Sequence, residues 1–153
     1  VIAVAASDYR GHLVTRYSNF GAAVDIMAPG GDVARDDNGD GQNDGVLSMV
    51  QGGYARYNGT SMAAPHVAGA GALLLARDSS LTPSQVLDRL QENALSRNST
   101  ECPKACGAGL LQVARRAGTP PPPPPKTPDL ALNGLTVILL SMAAFVLVRR
   151  RHA

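Results

Sequence analysis

Met62 to Ala76 carries one polar side chain, His66, in fifteen residues. A helix that is apolar on every face belongs in a core, and fifteen residues are too few to cross a bilayer. The stretch predicts a buried helix around which the rest of the fold is arranged. Pro65 has no N–H to donate, which a first helical turn tolerates because the donors there are free anyway. Gly69 and Gly71 each cost about 1 kcal/mol against alanine inside a helix, so a neighbour is expected to pack closely on that face. Just ahead lies Gly59-Thr60-Ser61, a glycine turn that delivers a hydroxyl to the first turn. A helix N-terminus presents unpaired N–H groups and partial positive charge, which stabilise an oxyanion forming beside the hydroxyl. Acyl transfer suits such a place, with Ser61 as nucleophile and its own N–H as one oxyanion donor. An ordinary N-cap serine is the alternative reading.

The elements around this helix alternate. Val1 to Ala6 is a continuous apolar run, as expected of a parallel strand covered on both faces. A short strand is expected around Val14 to Tyr17, and a largely buried one from Ala23 to Ala28, stopped by Pro29-Gly30-Gly31. Val46 to Val50 and Tyr54 to Tyr57 read as a hairpin around Gln51-Gly52-Gly53. Thr82-Pro83-Ser84-Gln85 is a capping box with proline at the first helical position. It opens an amphipathic helix to about Ser96, with Val86, Leu87, Leu90 and Ala94 inward. Strands alternating with helices predict an α/β fold with a parallel sheet.

Residues 59 to 69, Gly-Thr-Ser-Met-Ala-Ala-Pro-His-Val-Ala-Gly, resemble almost letter for letter the nucleophile motif of the subtilisin-like serine proteases, the subtilases. Four more stretches resemble successive segments of that family. They are Val1 to Ala6, Tyr17-Ser18-Asn19-Phe20-Gly21, Val24-Asp25-Ile26-Met27-Ala28-Pro29-Gly30, and Cys106-Gly107-Ala108-Gly109-Leu110-Leu111. Several motifs in the right order make the resemblance specific, and it covers residues 1 to about 117. It implies the C-terminal portion of a subtilisin-like parallel sheet with flanking helices. It also implies a serine endopeptidase acting on protein or peptide substrates, with Ser61 as nucleophile in the turn Gly59-Thr60-Ser61.

The resemblance places the family's catalytic Asp and His, and the Asn that completes its oxyanion hole, upstream of these residues. The chain opens on a strand-like run without an initiator Met or a visible signal peptide, and reads as the C-terminal part of a longer protein. His66 lies five residues after Ser61, about 140° around a helix, and cannot face its hydroxyl; a hydrogen-bonding role in the core is expected. His12 falls in a loop and His152 near the C-terminus. An α/β-hydrolase nucleophile elbow would need an acid and then a histidine downstream of the serine, and only His152 follows the central helix. The reading from another class is a non-catalytic, calcium-binding, membrane-tethered ectodomain piece or pseudoprotease.

Asp36, Asn38, Asp40 and Asp44 occupy positions 1, 3, 5 and 9 of a calcium loop, with Gly41 at the sharp-turn position. Leu47 stands where an EF-hand carries its bidentate Glu, so a further ligand has to come from elsewhere. A structural Ca2+ is the expectation, and a solvated Asx-Gly turn the alternative. Cys102 and Cys106 suit a disulfide in an exported protein, either with each other or with a cysteine further upstream. Asn58-Gly59-Thr60 and Asn98-Ser99-Thr100 match glycosylation sequons.

After residue 117 the composition changes. Residues 118–129 hold an unbroken proline run, Pro120 to Pro125, expected as an extended spacer. Residues 130–148 carry no charge and are long enough for one transmembrane helix. Arg149 to Arg151 then mark residues 149–153 as a cytoplasmic tail by the positive-inside rule. The arrangement resembles bacterial C-terminal sorting signals, in which such a helix is cut off. These arginines supply three of 14 basic residues, leaving 11 against 12 acidic, so no nucleic-acid partner is expected. The expected location is exported, with the peptidase part outside the cytoplasm and a membrane anchor at the C-terminus.

Overall fold

The computed structural model describes residues 1–113. The spacer, membrane helix and tail expected from residues 118–153 lie outside them. Among the described residues no helix is long and apolar enough to cross a membrane.

Two short, mostly apolar runs form β1 (Val4–Ser7) and β2 (Ile26–Pro29). They pair in parallel, with Val4 opposite Ile26 and Ser7 opposite Pro29. Parallel strands covered on both faces have no polar side to alternate, and the residues divide accordingly. Ala6, Ile26 and Ala28 face one cluster, while Ala5 and Met27 face another. Beyond β2 the ladder continues through Leu110, which bridges Met27 in parallel and Leu95 in antiparallel. Before β1 the pairing is irregular. There the Asp25 carboxylate accepts the Ala3 N–H at 2.7 Å, a bond that a regular ladder would have made between backbones.

The expected hairpin is present as β3 (Val46–Val50) and β4 (Gly53–Tyr57), with Val46 opposite Tyr57. The strand expected at Val14 to Tyr17 is not. Leu13 makes a single bridge to Ser7, and residues 15–17 turn, with the Tyr17 N–H donating back to the Val14 carbonyl at 3.2 Å. A run of Val, Thr, Arg and Tyr has strand propensity, but local turn bonds capture it first.

The central helix α1 (Thr60–Arg77) packs Ala63, Val67 and Ala70 against Ala6, Ile26 and Ala28. It differs from the sequence expectation in three ways. It begins two residues earlier than the apolar run, so Pro65 sits past the first turn and denies the Ser61 carbonyl its i+4 donor. Only one face is buried: Ala64, Ala68, Ala72, Leu73 and Leu75 are exposed, because the described strands cover one side of the helix. The two glycines also part company. A Cβ on Gly71 would meet Val86 Cγ1 at 3.5 Å, whereas Gly69 has open space.

Helix α2 (Pro83–Asn93) opens as the sequence predicts. The Thr82 Oγ1 accepts the Gln85 N–H and the Gln85 side chain accepts the Thr82 N–H, a complete capping box. Val86, Leu90 and Ala94 enter the core beside α1, and Leu87 is half-buried. The helix stops at Asn93 rather than Ser96 because Leu95 is taken by Leu110, with reciprocal N–H···O bonds of 2.8 and 2.9 Å. The opposite face of the sheet is closed by residues 96–109, where Cys106 packs with Ala5, Leu13 and Met27. Cys102 and Cys106 form a disulfide there, with Cα atoms 6.3 Å apart.

Candidate active site

Ser61 is the second residue of α1 and is exposed. Its position is fixed by Gly59, whose φ of 154° lies where side-chain-bearing residues are rarely found. The Gly59 N–H donates to the Gly30 carbonyl at 3.0 Å, which ties the turn to the end of β2. The Gly59 carbonyl accepts from the Met62 and Ala63 N–H groups at 3.0 and 3.3 Å, which starts the helix. No side chain caps this end, and no acidic residue lies in its first turn. The N–H groups of Thr60 and Ser61, ahead of Met62 and Ala63, therefore remain available to an anion. A hydroxyl on a turn of this kind can attack an acyl carbon and leave the developing oxyanion facing backbone donors.

The histidines are placed elsewhere. His66 is exposed rather than held in the core as expected, and its Nδ1 lies 2.8 Å from the Met62 carbonyl of its own helix. With α1 bare on that side, the ring finds its partner locally. His12 sits in the loop beside Glu101. Among the described residues neither histidine hydrogen-bonds Ser61.

Two groups near the turn were given no role by the sequence, although Tyr17 opens the segment Tyr17-Ser18-Asn19-Phe20-Gly21. The Tyr17 hydroxyl donates to the Gly31 carbonyl. Burial first, and then the charge of Asp32, push its pKa up to about 12, so it remains a donor through the neutral range. Asp32, 3% exposed, accepts from Arg16 Nη2 at 2.5 Å and from the Ala34 N–H at 2.9 Å. Burial would raise this carboxyl, but the Arg16 and Ala34 bonds and the charges of Arg16 and Arg35 outweigh it and hold it below the usual range.

The acidic loop hangs from the same place. Asp32 and Asp44 form its base, joined by a bond from the Asp32 N–H to the Asp44 carbonyl at 3.0 Å. Asp36 accepts from the N–H groups of Gly39, Asp40 and Gly41, at 2.8, 3.1 and 2.9 Å. Asn38 Oδ1 accepts the Asp40 N–H, and Asn38 Nδ2 donates to Asp40 Oδ2 at 3.1 Å. Asp44 Oδ2 accepts the Asp37 N–H. Asp37, absent from the sequence expectation, is paired with Arg10 at 3.2 Å and Arg35 at 3.5 Å, yet its Oδ2 is buried without a partner. Among the described residues no three acidic, histidine or cysteine side chains converge as a metal site as they stand. Asp36, Asn38, Asp40 and Asp44 nonetheless all offer side-chain oxygens, and the orphaned Asp37 oxygen is one more acceptor. That set suits a hard cation.

The Subtilase family profile matches residues 1–109. An extracellular protease of Xanthomonas campestris pv. campestris is 40% identical over 112 residues, which are 72% of this chain and 18% of that protein. A subtilisin of Bacillus pumilus is 39% identical over 102 residues, 66% of this chain and 31% of that protein. The chain thus spans less than a third of these relatives' length. A solved protease structure from Pseudoalteromonas arctica superposes with a TM-score of 0.61 at 32% identity, covering 74% of this chain and 34% of that one.

Proposed function

Because the chain belongs to the subtilase family, we propose that it is the nucleophile-bearing part of a serine endopeptidase that hydrolyses peptide bonds through Ser61. The observation that supports this most is Ser61 itself, exposed on an uncapped helix start whose turn is tied to the sheet end. In this reading the Ser61 Oγ attacks the peptide carbonyl carbon, and its proton passes to a histidine upstream of this chain. The oxyanion then faces the leading N–H groups of α1 and an upstream Asn side chain. Gly59 and Thr60 shape the turn and carry no charge of their own. The test is covalent: the full-length protein should take up a fluorophosphonate, and the modified peptide should contain Ser61. A protein that forms no adduct would be the pseudoprotease of the alternative reading.

A structural Ca2+ held by Asp36, Asn38, Asp40 and Asp44 belongs to the same proposal, with Asp37 as a neighbouring acceptor. When bound, the ion would neutralise acidic groups that otherwise repel one another across one short loop. A ligand bound only by the folded state stabilises it by mass action. Chelation is therefore expected to lower the thermal midpoint of the full-length protein, and Asp40→Ala to remove most of that sensitivity. An unchanged midpoint on chelation would leave the loop a plain Asx turn.

We propose as well that the peptidase part is exported and held at a membrane by residues 130–148. The uncharged length of that segment supports this, as does the extracellular protease among the relatives. Two charges near the middle of a span cost about 3 kcal/mol each. Leu139→Asp with Ala143→Lys is thus expected to release the protein from the membrane fraction. Retention after a carbonate wash would place the anchor elsewhere.

A further inference from the structure

Tyr17 lies on none of the residues that carry the proposed chemistry, yet its hydroxyl ends at the nucleophile turn. It donates to the Gly31 carbonyl, and Gly31 follows the residue from which Gly59 hangs. The approach is close on every side. A methyl group on Gly30 would lie 2.4 Å from Ala6 Cβ, 2.9 Å from the Gly59 carbonyl oxygen and 3.0 Å from the Tyr17 hydroxyl oxygen. The amides of Gly30 and Gly31 both donate to the Ser7 carbonyl, at 2.9 and 3.0 Å, so β1 holds this segment through its N–H groups. Its carbonyls point to two other partners: Gly30 to the Gly59 N–H and Gly31 to Tyr17. Among the described residues Tyr17 is the one side chain that hydrogen-bonds this segment, and the adjacent Arg16 grips Asp32, the next residue along.

We propose that Tyr17 is a positioning residue for Ser61, its phenol fixing the Gly30–Gly31 segment from which the nucleophile turn is suspended. This rests on the reading of Ser61 as nucleophile. Without the hydroxyl the segment keeps its bonds to Ser7 and to Gly59, but the Gly31 carbonyl loses its restraint and Gly59 gains freedom with it. A nucleophile displaced by a fraction of an ångström reacts more slowly. Substrate contacts made elsewhere are untouched, so the loss falls on kcat and not on KM.

The experiment is Tyr17→Phe in the full-length protein, which keeps the ring in place and removes one donor. Two quantities are read: kcat and KM for a peptide substrate, and amide hydrogen exchange in a peptide covering residues 58–62. The expected result is a kcat lower by about five- to tenfold, the worth of one neutral hydrogen bond, with KM within a factor of about two. Exchange at Gly59 and Met62 should quicken by a similar factor. Exchange unchanged at those amides overturns the proposal, and so does a raised KM with kcat intact. Failure of the underlying reading looks different, since the unsubstituted protein would then form no phosphonate adduct at Ser61. In that event the kinetic role of Tyr17 is overturned too, while the exchange data decide whether it holds the turn.

Discussion

Ser61→Ala is expected to remove peptide hydrolysis by the full-length protein, with a fall in kcat of about six orders of magnitude. That is the size of loss found when the nucleophile is removed from subtilisin, a relative of this chain. The physical reason is that the residues left behind still bind substrate and still offer N–H groups to an oxyanion, but no oxygen is placed to form the acyl bond. Binding should therefore survive, and inhibitory peptides should retain their affinity. Ser61 is exposed at the start of α1, so the substitution leaves no cavity and the thermal midpoint should hardly move. Activity that persists within about a hundredfold would locate the nucleophile elsewhere and sink the proposed function.

Gly107→Ala should have the largest effect on stability. Gly107 adopts a φ of 73°, and a Cβ there would lie 2.3 Å from the Asp25 carbonyl carbon, 2.4 Å from its oxygen and 2.5 Å from the Ile26 nitrogen. These are backbone atoms at the entrance to β2 and cannot swing aside as a side chain would. Positive-φ strain costs about 1–2 kcal/mol and overpacking about 1–3 kcal/mol. The bonds from the Ala108 N–H to the Asp25 carbonyl and from the Met27 N–H to the Gly109 carbonyl would stretch as the loop retreats. A loss of about 3–5 kcal/mol in urea denaturation is expected. Gly52→Ala is the control, with a φ of 86° but open space around it, and should cost only about 1–2 kcal/mol. Equal losses for the two would show that crowding against Asp25 contributes nothing.

Much of the local structure around the candidate site was legible because neighbouring residues set it. The turn Gly59-Thr60-Ser61, the capping box at Thr82 and the β3–β4 hairpin are each specified within a few residues, and each is found where the sequence places it. The error over α1 has a different origin. Apolar residues on every face state that a helix can be buried, but not which faces the described elements reach. Its exposed side, and with it His66, therefore departed from expectation. Tyr17 stands in a family-like segment and Asp37 inside the acidic loop, but neither pattern gave the side chain a role. One acts through a carbonyl fourteen residues away, and the other through arginines at positions 10 and 35. The contacts with Gly31 and Arg10 are written by the fold rather than by spacing.

The bridge between Met27 and Leu110 also bears on how the protein reaches its native state. Leu110 lies 83 residues after Met27 in the chain. Closing a loop of that length costs about 4 kcal/mol in entropy before any contact repays it. β1 and β2, only 22 positions apart, can meet long before the third partner arrives. Until then β2 presents an open edge of unpaired N–H and C=O groups, the kind of edge that recruits strands from other molecules. Chains dominated by such distant pairings fold slowly and are vulnerable to aggregation while they wait. The rate-limiting event on refolding should accordingly be arrival of the segment around Leu110 at β2, and protein concentration should govern yield far more than it governs stability.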